Sequence, residues 1–290
     1  MIVVIAGIVL MLYPYISEYF FENRVDSEIM AYKECINKTV DQQYQRMLEQ
    51  AEEYNSYLQK SQMQLTDPFA NTRGTEEQPV YESLLRVDDS GIIGYVEIPT
   101  IGVKLPVYQG TSAGDLERGV GHLKGSSLPV GGKGTHAVLT GHTGLSQAKL
   151  LSDLTEMKEG DVFYIYVLGR QLAYEVYATS VVLPEDTEQL RIEKDKDLVT
   201  IVTCTPYGIN THRLFVHGKR IPFSEPQYQK ELSKTPVTLN SRWRSAYGRA
   251  LLAGGMFAVC LIVLLVLDIR KIIGVTLVII GCITFMSPEI

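Results

Sequence analysis

Asp197-Leu198-Val199-Thr200-Ile201-Val202-Thr203-Cys204-Thr205-Pro206-Tyr207-Gly208-Ile209-Asn210-Thr211-His212-Arg213 reads as a β-branched strand ending at a cysteine, a Pro-Tyr-Gly turn, and a return strand carrying an arginine. β-Branched residues favour strands, and neighbouring proline and glycine mark turns. A hairpin of this length brings strand ends together, so the guanidinium can lie near the sulfur. A thiolate that attacks an acyl group develops an oxyanion, which a fixed arginine can stabilise. A cysteine taken alone is more often a small buried hydrophobe. The flanking Thr203 and Thr205 and the adjoining turn point to a nucleophile at Cys204 instead.

Strand signals continue upstream of this hairpin. Ile92–Pro99, Val103–Tyr108, Ala137–Thr140, Asp161–Leu168 and Leu172–Thr179 are short apolar or alternating runs, the last two joined at Gly169-Arg170-Gln171. Many short strands with little helix between Gly91 and Phe223 predict a mainly β domain, a closed or nearly closed barrel at 91–223. Between Glu22 and Leu65 the chain is polar. Val25, Ile29, Tyr32, Ile36, Val40, Tyr44, Met47, Ala51, Tyr54 and Leu58 recur there at three- and four-residue spacing. That stripe predicts one or two amphipathic helices, assigned to 18–65, packed on the domain that follows. Residues 66–90 read as an exposed loop and lead-in, and 224–249 as a polar linker.

Apolar residues are unevenly placed. Ile2–Ile16, Ala250–Leu267 and Ile272–Ser287 carry no charge. The run at 250–267 approaches the ~20 apolar residues of a bilayer helix and is read as a transmembrane helix. Residues 1–17 are read as an N-terminal membrane anchor or signal-like segment; no small-residue cleavage site is nearby, which favours an anchor. Residues 272–286 form a second, short apolar segment. Asp268-Ile-Arg270-Lys271 would put that end of the span in the cytoplasm, although Arg242, Arg244 and Arg249 argue the opposite way. The net charge is −6 with no basic, aromatic-interleaved patch, so nucleic acid is not an expected partner. Of four cysteines, Cys204 alone lies in the β-rich middle, and no spacing suggests a disulfide framework, a metal site or a cofactor.

Acyl transfer also needs a proton donor for the leaving group. Of five histidines, His122 sits in a glycine-rich stretch read as a loop, His136 begins a strand, and His212 and His217 lie on the Arg213 strand. All four are assigned structural roles. His142 directly follows a strand between Gly141 and Gly144, which lets the backbone bring the imidazole close to a substrate.

The segment from Thr200 to Arg213 closely resembles the sortase signature, a Thr-x-Thr-Cys strand followed by an arginine, and Thr140-Gly141-His142 resembles the sortase histidine motif. The resemblance covers roughly Tyr81 to Phe223. Thr205-Pro-Tyr-Gly-Ile-Asn210 and Asp67-Pro68-Phe69 are similar to class C, pilus-assembling sortases of Gram-positive bacteria, in which the latter motif belongs to a flexible lid. Thr143 departs from the pattern, since an arginine is common after the histidine. The resemblance implies a sortase-type closed β-barrel with N-terminal amphipathic helices and membrane-spanning helices at the ends. It implies that Cys204 attacks the Thr–Gly bond of an LPXTG-like sorting signal and forms a thioacyl intermediate. His142 would shuttle the amine protons and Arg213 would hold the oxyanion. Asp67, Pro68 and Phe69 would form the lid, with Asp67 near Arg213 or the thiol and Phe69 over the cleft. The partners implied are the membrane and pilins bearing such signals and an acceptor lysine, with the catalytic domain on the extracellular side of the cell membrane.

Three other readings compete. A housekeeping-type sortase would anchor surface proteins to the cell wall, and a tethered β-barrel could be a non-enzymatic binding module. A papain-like hydrolase needs a helix-borne cysteine with its histidine downstream, whereas Cys204 ends a strand and His142 lies upstream.

Overall fold

In the computed structural model the described residues are 2–61, 65–69, 79–143, 148–237, 252–257 and 259. Eight strands close into one barrel: β1 (Ile92–Ile98), β2 (Val103–Gln109), β3 (Val120–His122), β4 (Thr135–Thr140), β5 (Val162–Val167), β6 (Arg170–Val182), β7 (Asp197–Thr205) and β8 (His212–Ile221). The order around the barrel is β1-β2-β3-β4-β7-β8-β6-β5. Two neighbouring pairs, β2–β3 and β4–β7, are parallel and the rest antiparallel. A parallel pair needs a crossover, so β4 and β7 meet only after the intervening β5–β6 hairpin has closed the far side.

Three expected boundaries move. His122 lies in β3, not in a loop, because its short strand is flanked by glycine-containing turns that hide it from pattern reading. The β5–β6 turn is Leu168-Gly169, both at positive φ, and Arg170 already pairs with Val167. The linker at 224–249 contains a helix, α3 (Glu225–Leu232), with a proline in its first turn. Tyr228 docks it, donating a 3.0 Å hydrogen bond to Glu97 and meeting Tyr164 edge-on.

The amphipathic stripe forms helices α1 (Ile2–Lys38) and α2 (Asp41–Ser61). Val25, Ile29, Tyr32, Met47, Ala51, Tyr54 and Leu58 are buried in the main core, whereas Val40 at the break between the helices is 68% exposed. α1 runs unbroken through the expected boundary between residues 17 and 18. Among the described residues no helix is long and apolar enough to cross a membrane. The uncharged run within α1 ends at Ser17, before Glu18. The spans expected at 250–267 and 272–286 lie almost wholly outside the described residues; 252–257 and 259 are helical. Pro14–Thr238 form one compact unit, and Met1–Tyr13 with Leu239–Ile290 are grouped in another.

Buried polar groups fix the helices on the barrel. The Tyr32 hydroxyl donates to the Ile93 carbonyl and accepts from the Leu168 amide, both at 3.0 Å. Asn55 pairs reciprocally with the Leu128 backbone at 3.0 and 2.7 Å. The Tyr81 hydroxyl is 2.8 Å from His122 Nδ1, while His122 Nε2 faces the Ser127 carbonyl at 2.8 Å. Since a carbonyl only accepts, Nε2 carries the proton and Nδ1 accepts from Tyr81, which gives His122 a structural role. Tyr32→Phe leaves two buried backbone groups without that partner and is expected to cost about 1–3 kcal/mol. Denaturant unfolding measures the loss.

Candidate active site

Three adjacent strands, β4, β7 and β8, supply the site. Cys204 lies near the end of the central one and pairs in register with Arg213 on β8. On the other side Thr140 of β4 pairs with Val202, so His142, two residues further, follows β4 off the barrel toward the level of Cys204. The exit of His142 is fixed by backbone contacts. Thr203 donates from its hydroxyl to the Gly141 carbonyl at 2.7 Å, the Gly141 amide bonds to the Val202 carbonyl, and the Leu151 amide to the His142 carbonyl. A Cβ on Gly141 would lie 2.8 Å from Leu151 Cδ1, so a larger residue before the histidine would displace that side chain.

The β7–β8 turn is built for reversal. Gly208 and Asn210 take positive φ, a conformation glycine adopts freely and asparagine tolerates. The Pro206 carbonyl accepts from the Ile209 and Asn210 amides. The carbonyls of Asn210 and His212 then accept from Arg213 Nη1, both at 3.2 Å.

The rest of the guanidinium is taken by Asp67. Arg213 Nε donates to Oδ1 at 2.8 Å and Nη2 to Oδ2 at 2.7 Å, a two-point pair whose side chains are only 9% and 12% exposed. Pro68 is buried. The Phe69 ring lies 5.0 Å from the Arg213 cation and 5.6 Å from the His142 ring. Asp67-Pro68-Phe69 thus covers the arginine and the histidine together. Leu65 and Phe69 pack on a small apolar cluster of Leu123, Val138, Val182, Leu190, Val202 and Phe215, separate from the main core. Leu65 is also held from the side, its carbonyl accepting from the Thr187 hydroxyl at 2.9 Å.

Electrostatics keep the covered site protonated at sulfur. Burial raises the Cys204 pKa, the Arg213 charge opposes that, and Asp67 adds to the rise. Burial lowers the His142 pKa, with Glu117 opposing. A neutral thiol beside a neutral imidazole is a resting pair, and loss of the Asp67 charge moves the thiol toward the thiolate.

All six residues singled out from sequence therefore gather at one end of the β4–β7–β8 face. Sequence reasoning did not identify Leu65, Thr187, Leu190 or Glu117. Leu65 and Leu190 carried no signal beyond single apolar residues in polar segments. His136 and His217 are buried and hydrogen-bonded, in keeping with structural roles. Thr143 is also buried.

The sequence model of the Sortase domain matches residues 96–221. Sortase C1 of Streptococcus agalactiae is 42% identical, covering 70% of this chain and 99% of the solved one, with a TM-score of 0.63. Sortase C-1 of Actinomyces oris is 44% identical over 62% of this chain and 98% of its own, with a TM-score of 0.59. Among curated relatives, sortase D of Bacillus subtilis is 28% identical over 155 residues, 52% of this chain and 75% of that protein. The chain belongs to the sortase family, cysteine transpeptidases, and class C is the branch it fits.

Asp67→Asn removes the charge that holds Arg213 and raises the thiol pKa. Hydrogen bonds to a charged group contribute about 1.5–3 kcal/mol, so iodoacetamide should alkylate Cys204 roughly ten- to a hundredfold faster at neutral pH. Because the folded thiol pKa lies above the ordinary value in the parent, its alkylation climbs late as pH rises, and the variant's curve should shift to lower pH. Coincident rate–pH curves would refute control by Asp67.

Proposed function

We propose that this sortase is a membrane-anchored transpeptidase that joins pilin subunits through lysine isopeptide bonds. The observation that carries the reading is the Cys204–Arg213 register, with His142 following β4 on the other side and Asp67-Pro68-Phe69 over Arg213 and His142. The relatives support the pilin class: one solved structure is described as sortase C1 of a pilus island, and that of the Streptococcus pneumoniae sortase C as bearing on pilin substrate specificity.

In the proposed reaction the lid leaves and Arg213 is released. His142 takes the proton of the Cys204 thiol, the thiolate attacks the threonine carbonyl of an LPXTG-like signal, and Arg213 donates to the oxygen as it becomes negative. The threonine–glycine C–N bond breaks, and the glycine amine departs with a proton from His142. A pilin lysine then attacks the thioester, gives its proton to His142, and expels the thiolate. The peptide occupies the apolar floor of Val138, Val202 and Phe215 that Leu65 and Phe69 cover at rest. The catalytic unit lies on the extracellular side of the cell membrane. The uncharged runs at 2–16 and 250–267 support that tether as sequence, although the described helices include none that would span.

Incubating the full chain with a candidate pilin and sequencing the cross-linked peptide tests the reading. Cys204→Ala should yield no polymer, and normal ladders from it would sink the proposal. Arg213→Gln should keep the thiol alkylatable while lowering kcat by about 10²–10³, the loss typical for one oxyanion donor.

A further inference from the structure

A chain of polar side chains is buried at the other end of the groove, away from the chemistry. Thr200, Val202 and Cys204 alternate onto one face of β7. Thr200 stands between two buried histidines, its Oγ1 2.7 Å from His136 Nε2 on β4 and 2.8 Å from His217 Nδ1 on β8. Both rings continue to the connection between β6 and β7. His136 Nδ1 is 2.8 Å from the Arg191 carbonyl, and His217 Nε2 is 3.1 Å from the side-chain amide of Gln189 and 3.2 Å from the Ser180 hydroxyl.

The polarity of this chain follows from one atom. The Arg191 carbonyl only accepts, so His136 Nδ1 carries the proton and Nε2 accepts from the Thr200 hydroxyl. The Thr200 oxygen is then free to accept from His217 Nδ1–H. His217 Nε2 is left as an acceptor, so the Gln189 amide, whose Oε1 stands 3.1 Å from it, has to turn its NH₂ to the ring for the chain to close. The scheme holds only with both rings neutral, and burial lowers the pKa of each, His217 to about 4. Thr200 is thus donor to one histidine and acceptor from the other, and no apolar residue can replace it in either role.

What the chain holds is the segment from Thr187 to Ile192. Its Leu190 is buried in the same apolar cluster as Val138, Val202 and Phe215, and its Thr187 holds the Leu65 carbonyl at the start of the lid. We propose that Thr200 is a positioning residue for the substrate groove: through His136 and His217 it seats the 187–192 segment, so that Leu190 walls the groove and Thr187 retains the lid. The proposal rests on the reading of this groove as the peptide site. It assigns the signature's first threonine a task distinct from the chemistry at Cys204.

The full chain is compared as the parent, Thr200→Val, Thr200→Ser and Gln189→Ala. Gln189 is exposed, so its truncation leaves the barrel packing intact. Losing one such hydrogen bond should raise KM for a sorting-signal peptide about five- to tenfold with kcat little changed. Amide exchange at 187–192 and alkylation of Cys204 should quicken together, and Thr200→Ser should restore all three. If Thr200→Val does not fold, Gln189→Ala carries the test. An unchanged KM, or a fall in kcat alone, overturns the proposal whatever exchange shows. Failure of the function reading looks different, since the parent itself would not turn over the peptide. Exchange and alkylation then decide alone, and unchanged values in both overturn the role of Thr200.

Discussion

The N–H donors that hold one carboxylate cannot hold a second anion at the same time, and the resting site depends on that constraint. Arg213 directs Nε and Nη2 to Asp67 and Nη1 to two turn carbonyls. With both carboxylate oxygens engaged, four of its five N–H donors are taken and solvent has little access. A developing oxyanion can take the same donors only after the carboxylate has left. The exchange replaces one anion by another on a fixed cation, so it avoids the several-kcal/mol penalty of leaving a buried charge unpaired. Under the proposed function Asp67 is a stand-in for the charge of the transition state, and its departure frees the arginine and lowers the thiol pKa together.

The barrel makes the exchange local. β7 lies between β4 and β8, so Cys204, Arg213 and, just past the end of β4, His142, the proposed nucleophile, cation and proton carrier, come from three neighbouring strands. Backbone ladders fix β7 and β8, and the Thr203–Gly141 bond extends that rigidity one residue past the end of β4. Rigid strand ends keep the reacting groups in place while the cover, held by Asp67, Leu65 and Phe69, is the part that moves.

How much of this the sequence disclosed follows from how far apart the partners lie. Cys204 and Arg213 are joined by one short turn, and turn chemistry plus alternation was enough to pair them. His142 reaches Cys204 through a parallel pairing with a long crossover. Spacing could only mark it as a histidine between glycines, and family resemblance had to connect it. Asp67 lies 146 residues from Arg213. Asp-Pro alone reads as a turn opening, so the lid too was legible only by resemblance. The stripe on α1 and α2 was plain because a 3.6-residue period needs no distant partner. α3 was missed because its stretch is polar and Pro226 occupies the first helical turn, where proline is tolerated. His122 was misplaced because a three-residue strand is too short to show a period.

The covered resting state bears on what a good substrate must be. A ligand that needs the open site binds more weakly by the fraction of molecules that are open. If the Asp67–Arg213 contacts hold the lid by about 1.5–3 kcal/mol, that factor is roughly ten to a hundred. A short peptide meets only the groove floor, which the lid residues already fill with similar apolar contacts, so it gains little by displacing them. A whole substrate protein can contact surfaces outside the groove and bind the open state better than the closed one. Such a difference in affinity is the sole way a ligand shifts the equilibrium. Under the proposed function, lid and groove act as a filter on substrate context: the bond that is cut sets the chemistry, and the protein carrying it decides whether Cys204 becomes available.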